Sequence, residues 1–137
     1  MKNLAFIWIL FLSPILSAQE APGLRVHNRM LQQGELLNIG PGAITFVEVI
    51  SDSRCPVDVT CVWAGEAKIL LAVYEKGEFL KNIVVSTAAG ILPINFSEGA
   101  TEVNISEIIL LPYPNTKSKG IKPEYRLQLQ LKEKLQN

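Results

Sequence analysis

YRLQLQLK, residues 125–132, is the stretch on which the reading of the fold turns. Tyr125, Leu127, Leu129 and Leu131 alternate strictly with Arg126, Gln128, Gln130 and Lys132. A β-strand sends successive side chains to opposite faces, so this period of two puts the leucines together on one face and the polar groups on the other. An α-helix would scatter the same leucines around its circumference. The segment is therefore a half-buried strand, and its dry face requires a second layer to cover it.

The preceding stretches carry the same signal. In EVNISEIILL, residues 102–111, Val103 and Ile105 are in phase, whereas Ile108 and Leu110 come one step late. One extra residue, a β-bulge near Glu107, restores a common inner face. AITFVEVI, residues 43–50, is rich in β-branched and aromatic side chains, as strands are. Residues 66–74 place Ile69, Leu71 and Val73 on one face and Lys68, Leu70, Ala72 and Tyr74 on the other. A strand apolar on both sides suits the middle of a sheet, or less often an oligomer contact. The turn EKGE at 75–78 leads into a strand at 79–86. A strand at 35–39 ends on the turn Gly40-Pro41-Gly42, and Pro93 confines 91–96 to a sheet edge. At the start, Leu24, Val26 and Met30 alternate with Arg25, His27 and Arg29, which favours a further short strand, although Leu24, His27 and Leu31 would also share one face of a helix. Seven or eight short strands without an amphipathic helix predict a single antiparallel β-sandwich, immunoglobulin-like, with a small closed barrel as the alternative.

Residues 1–18, MKNLAFIWILFLSPILSA, read as a signal peptide: one lysine, an apolar run too short to span a bilayer, then small residues. The ending resembles a bacterial lipoprotein box, but Gln19 stands where the lipidated cysteine would be. The expectation is an exported protein, periplasmic or secreted, with no stable membrane anchor after cleavage and one domain at 19–137. That domain carries 12 cations against 13 anions once Lys2 is removed. So balanced a charge offers no footprint for nucleic acid.

DSRCPVDVTCVWAGEA, residues 52–67, holds both cysteines. In an oxidising compartment, two cysteines and no third predict the disulfide Cys55–Cys61. Asp52 is placed to accept hydrogen bonds from the amides of Ser53 and Arg54. Arg54 can pair with Asp52, Asp58 or Glu66, an exposed pair worth under about 1 kcal/mol. Trp63 is large enough to cover the disulfide and plug one end of the sandwich, and Gly65 leaves room for that ring or for a sharp bend. On this reading Asp52, Arg54, Trp63, Gly65 and Glu66 form a structural clasp around the disulfide, and burial would make Trp63→Ala cost about 3–5 kcal/mol.

Catalytic chemistry finds little purchase. The single histidine, His27, lies in the first strand, and there is no nucleophile elbow, zinc-protease helix or phosphate-binding glycine loop. No catalytic residue, metal site or cofactor is assigned. The alternative is a metal-binding protein or hydrolase centred on Asp52, Asp58 and Glu66, whose oxygens would suit calcium, although their spacing matches no calcium loop. Another is an inhibitor that inserts its end loops into a secreted enzyme.

Taken together, DSRCP-x2-V-x-C-x-WAGEA, the strand ITFVEV before it, LLPYP at 110–114 and Tyr125 resemble an uncharacterised group of small exported bacterial proteins, many of them lipoproteins. The resemblance spans residues 44–131 and implies an exported, compact β-fold, with no activity attached to a residue. The leading expectation is a non-catalytic binding or structural module for an extracytoplasmic protein or ligand. Its contact residues would be Tyr113, Asn115, Lys117 and Lys119 in the polar loop PYPNTKSKGIKP at 112–123, because binding residues gather on loops held by rigid scaffolds. Closing the small Cys55–Cys61 ring stabilises the fold by about 2 kcal/mol on the chain-entropy argument. Cys55→Ser should accordingly lower the unfolding free energy obtained from a denaturant titration by that amount.

Overall fold

The computed structural model describes residues 24–95, 102–118 and 120–134. The expected leader, Gln19 and Lys119 lie outside the described residues. Among the described residues eight strands follow one another: β1 (Leu24–Gln32), β2 (Leu36–Ile39), β3 (Gly42–Asp52), β4 (Ala67–Glu75), β5 (Glu78–Ser86), β6 (Leu92–Ile94), β7 (Glu102–Leu111) and β8 (Arg126–Lys134). One 3-10 turn, Thr116–Ser118, lies in the loop before β8. The strands form two four-stranded antiparallel sheets, ordered β1-β8-β7-β6 and β2-β3-β4-β5, so the architecture is a β-sandwich with open edges and not a closed barrel. Each sheet is mostly a run of consecutive hairpins, unlike the interleaved strand order of immunoglobulin domains.

The core lies between the sheets. Leu127, Leu129 and Leu131 of β8 face Ile44, Phe46, Ile69, Leu71 and Val73 of the other sheet, and all are excluded from water. Each such side chain contributes about 1.5–3 kcal/mol on burial, far more than an exposed ion pair such as Lys68–Glu66 at 3.6 Å. The slip in β7 is a bulge at Ser106: Ile105 stands opposite Leu131 and Glu107 opposite Gln130. Ser106 Oγ donates to the Gln130 side-chain oxygen at 2.9 Å, which anchors the extra residue to the opposing strand. A one-residue shift turns every following side chain over; here it brings Ile108 and Leu110 inside. The doubly apolar β4 is central, between β3 and β5, with Ala72 of its outer face also buried.

β1 forms as expected, but its apolar residues take the opposite phase. Leu31 is buried against β8 while Leu24, Val26 and Met30 are exposed. β1 is an edge strand, and the positions in phase with Leu31 (Arg25, His27 and Arg29) lie at the border of the sandwich, where polar side chains reach water. His27 Nε2 lies 3.7 Å from Glu133.

The β3–β4 connection, 53–66, and the β7–β8 connection, 112–125, lie at the same end. The first is a continuation of the hairpin: Ser53 N–H donates to Glu66 O and Cys55 N–H to Ala64 O, both at 2.8 Å. Gly65 makes this close pairing possible. Its φ is +68° and a Cβ there would lie 1.9 Å from the Ser53 carbonyl oxygen. Gly77, in the β4–β5 turn, also has positive φ, +81°, but an added Cβ meets nothing within 4 Å. Gly77→Ala should therefore cost only the left-handed backbone penalty, about 1–2 kcal/mol. Gly65→Ala must displace backbone as well and should cost clearly more. Equal losses in a denaturant titration would mean that the two strands do not approach so closely at Gly65.

Candidate functional site

Asp52 ends β3 and Arg54 follows it by two residues, a spacing that puts both side chains on one side of an extended segment. The two form a planar fork: Arg54 Nε donates to Asp52 Oδ1 at 2.8 Å and Nη2 to Oδ2 at 2.7 Å. Such paired, charge-assisted bonds are directional and strong. The guanidinium then reaches across to the other loop, where Nη1 donates to the Leu110 carbonyl and Nη2 to the Pro112 carbonyl at 2.9 Å. Its carbon lies 4.6 Å from the centre of the Tyr113 ring, a cation–π contact. Tyr125 donates its hydroxyl to Asp52 Oδ2 at 3.1 Å, and Arg54 N–H donates to Oδ1 at 3.2 Å.

The disulfide Cys55–Cys61 is present, with Cα atoms 5.9 Å apart. Beyond it, Val57 N–H donates to Pro114 O at 3.0 Å and Thr116 N–H to Asp58 Oδ1 at 3.0 Å, while the Thr116 hydroxyl donates to Asp58 Oδ2. The cysteine loop and the 112–123 loop are thus tied at three points: Arg54, Val57 and Asp58.

Two expectations are corrected. Arg54 is not in an exposed pair: it is buried, and it selects Asp52 over Asp58 and Glu66. Trp63 does not plug the sandwich, because its residue is 79% exposed; Arg54 occupies the space beneath the loop, with Tyr113 stacked against it. The expected asx contact at Asp52 comes from Arg54 N–H alone, as Ser53 N–H pairs with Glu66 O. Glu66 accepts from the Ser86 hydroxyl and lies near Lys68. Asp52, Asp58 and Glu66 therefore serve three separate contacts, and no group of three metal-ligating side chains occurs among the described residues.

A cleft of about 490 Å³ opens between the 112–123 loop, Asp52 and Tyr125. Tyr113 and Asn115, both expected from the sequence, line it; Lys117 does not, although its N–H is held by Asn115 Oδ1 at 2.8 Å. Sequence reasoning missed the contribution of Asp52, Ser118, Ile121, Tyr125 and the prolines 112, 114 and 123. Tyr125 was visible as the first member of the β8 alternation and as part of the family resemblance, but not as a wall of the cleft. Comparison of the chain with protein-family models, with curated proteins and with solved structures returned no match.

Burial works to raise the Asp52 pKa, but the hydrogen bonds and charge of Arg54 and the Tyr125 hydroxyl outweigh it, and the carboxyl lies below its ordinary 3.8. Burial and the Asp52 charge push Tyr125 above 10.0, so its hydroxyl keeps its proton. Thr116 lowers Asp58 from 3.8 by hydrogen bonding. A carboxyl depressed in the folded state stabilises fully above its unfolded value and loses that contribution as pH falls through the folded one. Acid unfolding should therefore set in below pH 3.8, and Asp52→Asn should flatten that limb of a stability–pH profile. Arg54→Leu, which strands the carboxylate and two carbonyls, should cost about 3–5 kcal/mol in a denaturant titration at neutral pH.

Proposed function

We propose that this is an exported, non-catalytic binding module that meets an extracytoplasmic partner through the paired loops at one end of the sandwich. The observation that carries the reading is the way the loops are held. Arg54, the Asp58–Thr116 contact and the disulfide fix a surface on which Val57, Val62, Trp63, Tyr113 and Ile121 remain exposed, Val62 at 94%. Leaving large apolar side chains in water is unfavourable, and several of them held on tied loops suit a contact surface. Tryptophan and tyrosine are also the side chains that most often dominate binding energy. Export rests on the leader-like start, on the resemblance to exported proteins, and on a disulfide, which persists outside the cytoplasm. The carboxylates nearest the cleft are occupied by structural partners, which favours recognition over acid–base chemistry.

The exposed Val62 and Trp63 directly after the disulfide-closed ring favour one second reading, an inhibitor that inserts this segment into a secreted enzyme. A panel of protease and lysozyme assays tests it. The main reading is tested by affinity capture from envelope extracts. Trp63→Ala and Tyr113→Ala should lose the partner recovered by the natural protein. Trp63→Ala should do so at unchanged stability, because a surface substitution shifts stability by no more than about 0.5 kcal/mol. Recovery of the same partner by both variants would place the contact elsewhere.

A further inference from the structure

We propose that the cleft beside Asp52 is a binding site for a neutral carbohydrate, a pyranose presenting both hydroxyl groups and a C–H face. This rests on reading the chain as a binding module and names one ligand class for it. The cleft's volume, about 490 Å³, falls in the usual range for small-molecule sites. Its lining combines Tyr113, Pro114, Ile121 and Tyr125 with the polar Asn115 and Ser118.

Charge points to a neutral ligand. Asp52 accepts four hydrogen bonds, two from Arg54 on Oδ1 and one each from Arg54 and Tyr125 on Oδ2. Four is about the acceptor capacity of a carboxylate, so none remains for a ligand, and the Arg54 charge balances its own. The Arg54 guanidinium already occupies one face of the Tyr113 ring. That cation draws on the ring's electron density and disfavours a second cation on the other face. A flat, uncharged C–H surface has no such penalty and gains apolar contact.

The hydrogen-bonding groups narrow the class further. The Tyr125 proton is committed to Asp52, so its oxygen is available as an acceptor. Asn115 uses its Oδ1 to hold Lys117 N–H, which leaves its amide N–H groups as donors. Ser118 can do either. A ligand matching this set must both donate and accept, as sugar hydroxyls do. A proline-rich peptide is poor in donors, because proline has no N–H, and offers little to the acceptor oxygen of Tyr125.

Calorimetric titration of the exported protein with maltotetraose, with chitotetraose and with a proline-rich decapeptide tests this. One of the two oligosaccharides should bind with a Kd of about 1 mM or tighter, and which one separates plain hexoses from acetamido sugars. Asn115→Asp keeps the acceptor for Lys117 N–H but removes the donors, and should weaken binding about tenfold or more. Tyr113→Ala should do the same, whereas Trp63→Ala should leave it unchanged. Absence of heat from both sugars, binding that survives Asn115→Asp, or binding of the peptide alone would each overturn the proposal. None of these results bears on the capture of a protein partner through Trp63, so the two readings fail independently.

Discussion

A guanidinium almost closed off from water governs how the loop end of this molecule is arranged. Removing a charge from water costs several kcal/mol, and only dense pairing offsets it. Arg54 achieves that pairing with Asp52, two residues before it, and with carbonyls 56 and 58 residues after it. Because those carbonyls belong to the end of β7 and the start of the 112–123 loop, the side chain determines where one connection lies against another. Replacing Arg54 and Asp52 together by apolar residues of similar volume would fill the space at lower cost, but it would not orient the carbonyls. The contribution of Arg54 is thus a defined arrangement as much as raw stability.

The same contrast explains what could be read from the residues alone. The alternation of β8, the slipped phase of β7 and the pairing of two cysteines are local patterns, each imposed by the geometry of a single strand or a short loop, and the folded chain follows them. Arg54 and Trp63 could not be sorted in that way. Size and hydrophobicity argue for the indole inside and the cation outside, yet Arg54 is buried and Trp63 exposed. What decides is the distant stretch carrying Leu110, Pro112 and Tyr113, and nothing near residue 54 announces it. The inverted phase of β1 has a related origin. An edge position lets water reach positions that the pattern alone would place under cover.

For the cleft, the loop at 112–123 was legible as a long polar connection, and it supplies seven of the nine residues that line the opening. Asp52 and Tyr125 complete it from the end of β3 and from the residue just before β8. Their chemistry is decided by hydrogen bonds to Arg54 and to each other, so the ionisable groups closest to the opening are locked in one state. A carboxylate beside two tyrosines suggests proton transfer when seen in a list of residues. Here it is a strut, and the polar atoms left for a visitor are a phenolic oxygen, an amide and a hydroxyl.

The pairing of β1 with β8 sets Leu24 opposite Lys134. Both stand at the pole of the sandwich reached by travelling the full length of β8 away from Tyr125 and the cleft. The folded unit therefore carries Leu24 and Lys134 at one pole and its paired loops at the other. A spacer, a surface or a fluorescent reporter joined before Leu24 or after Lys134 would hold the domain from behind and leave the paired loops pointing outward.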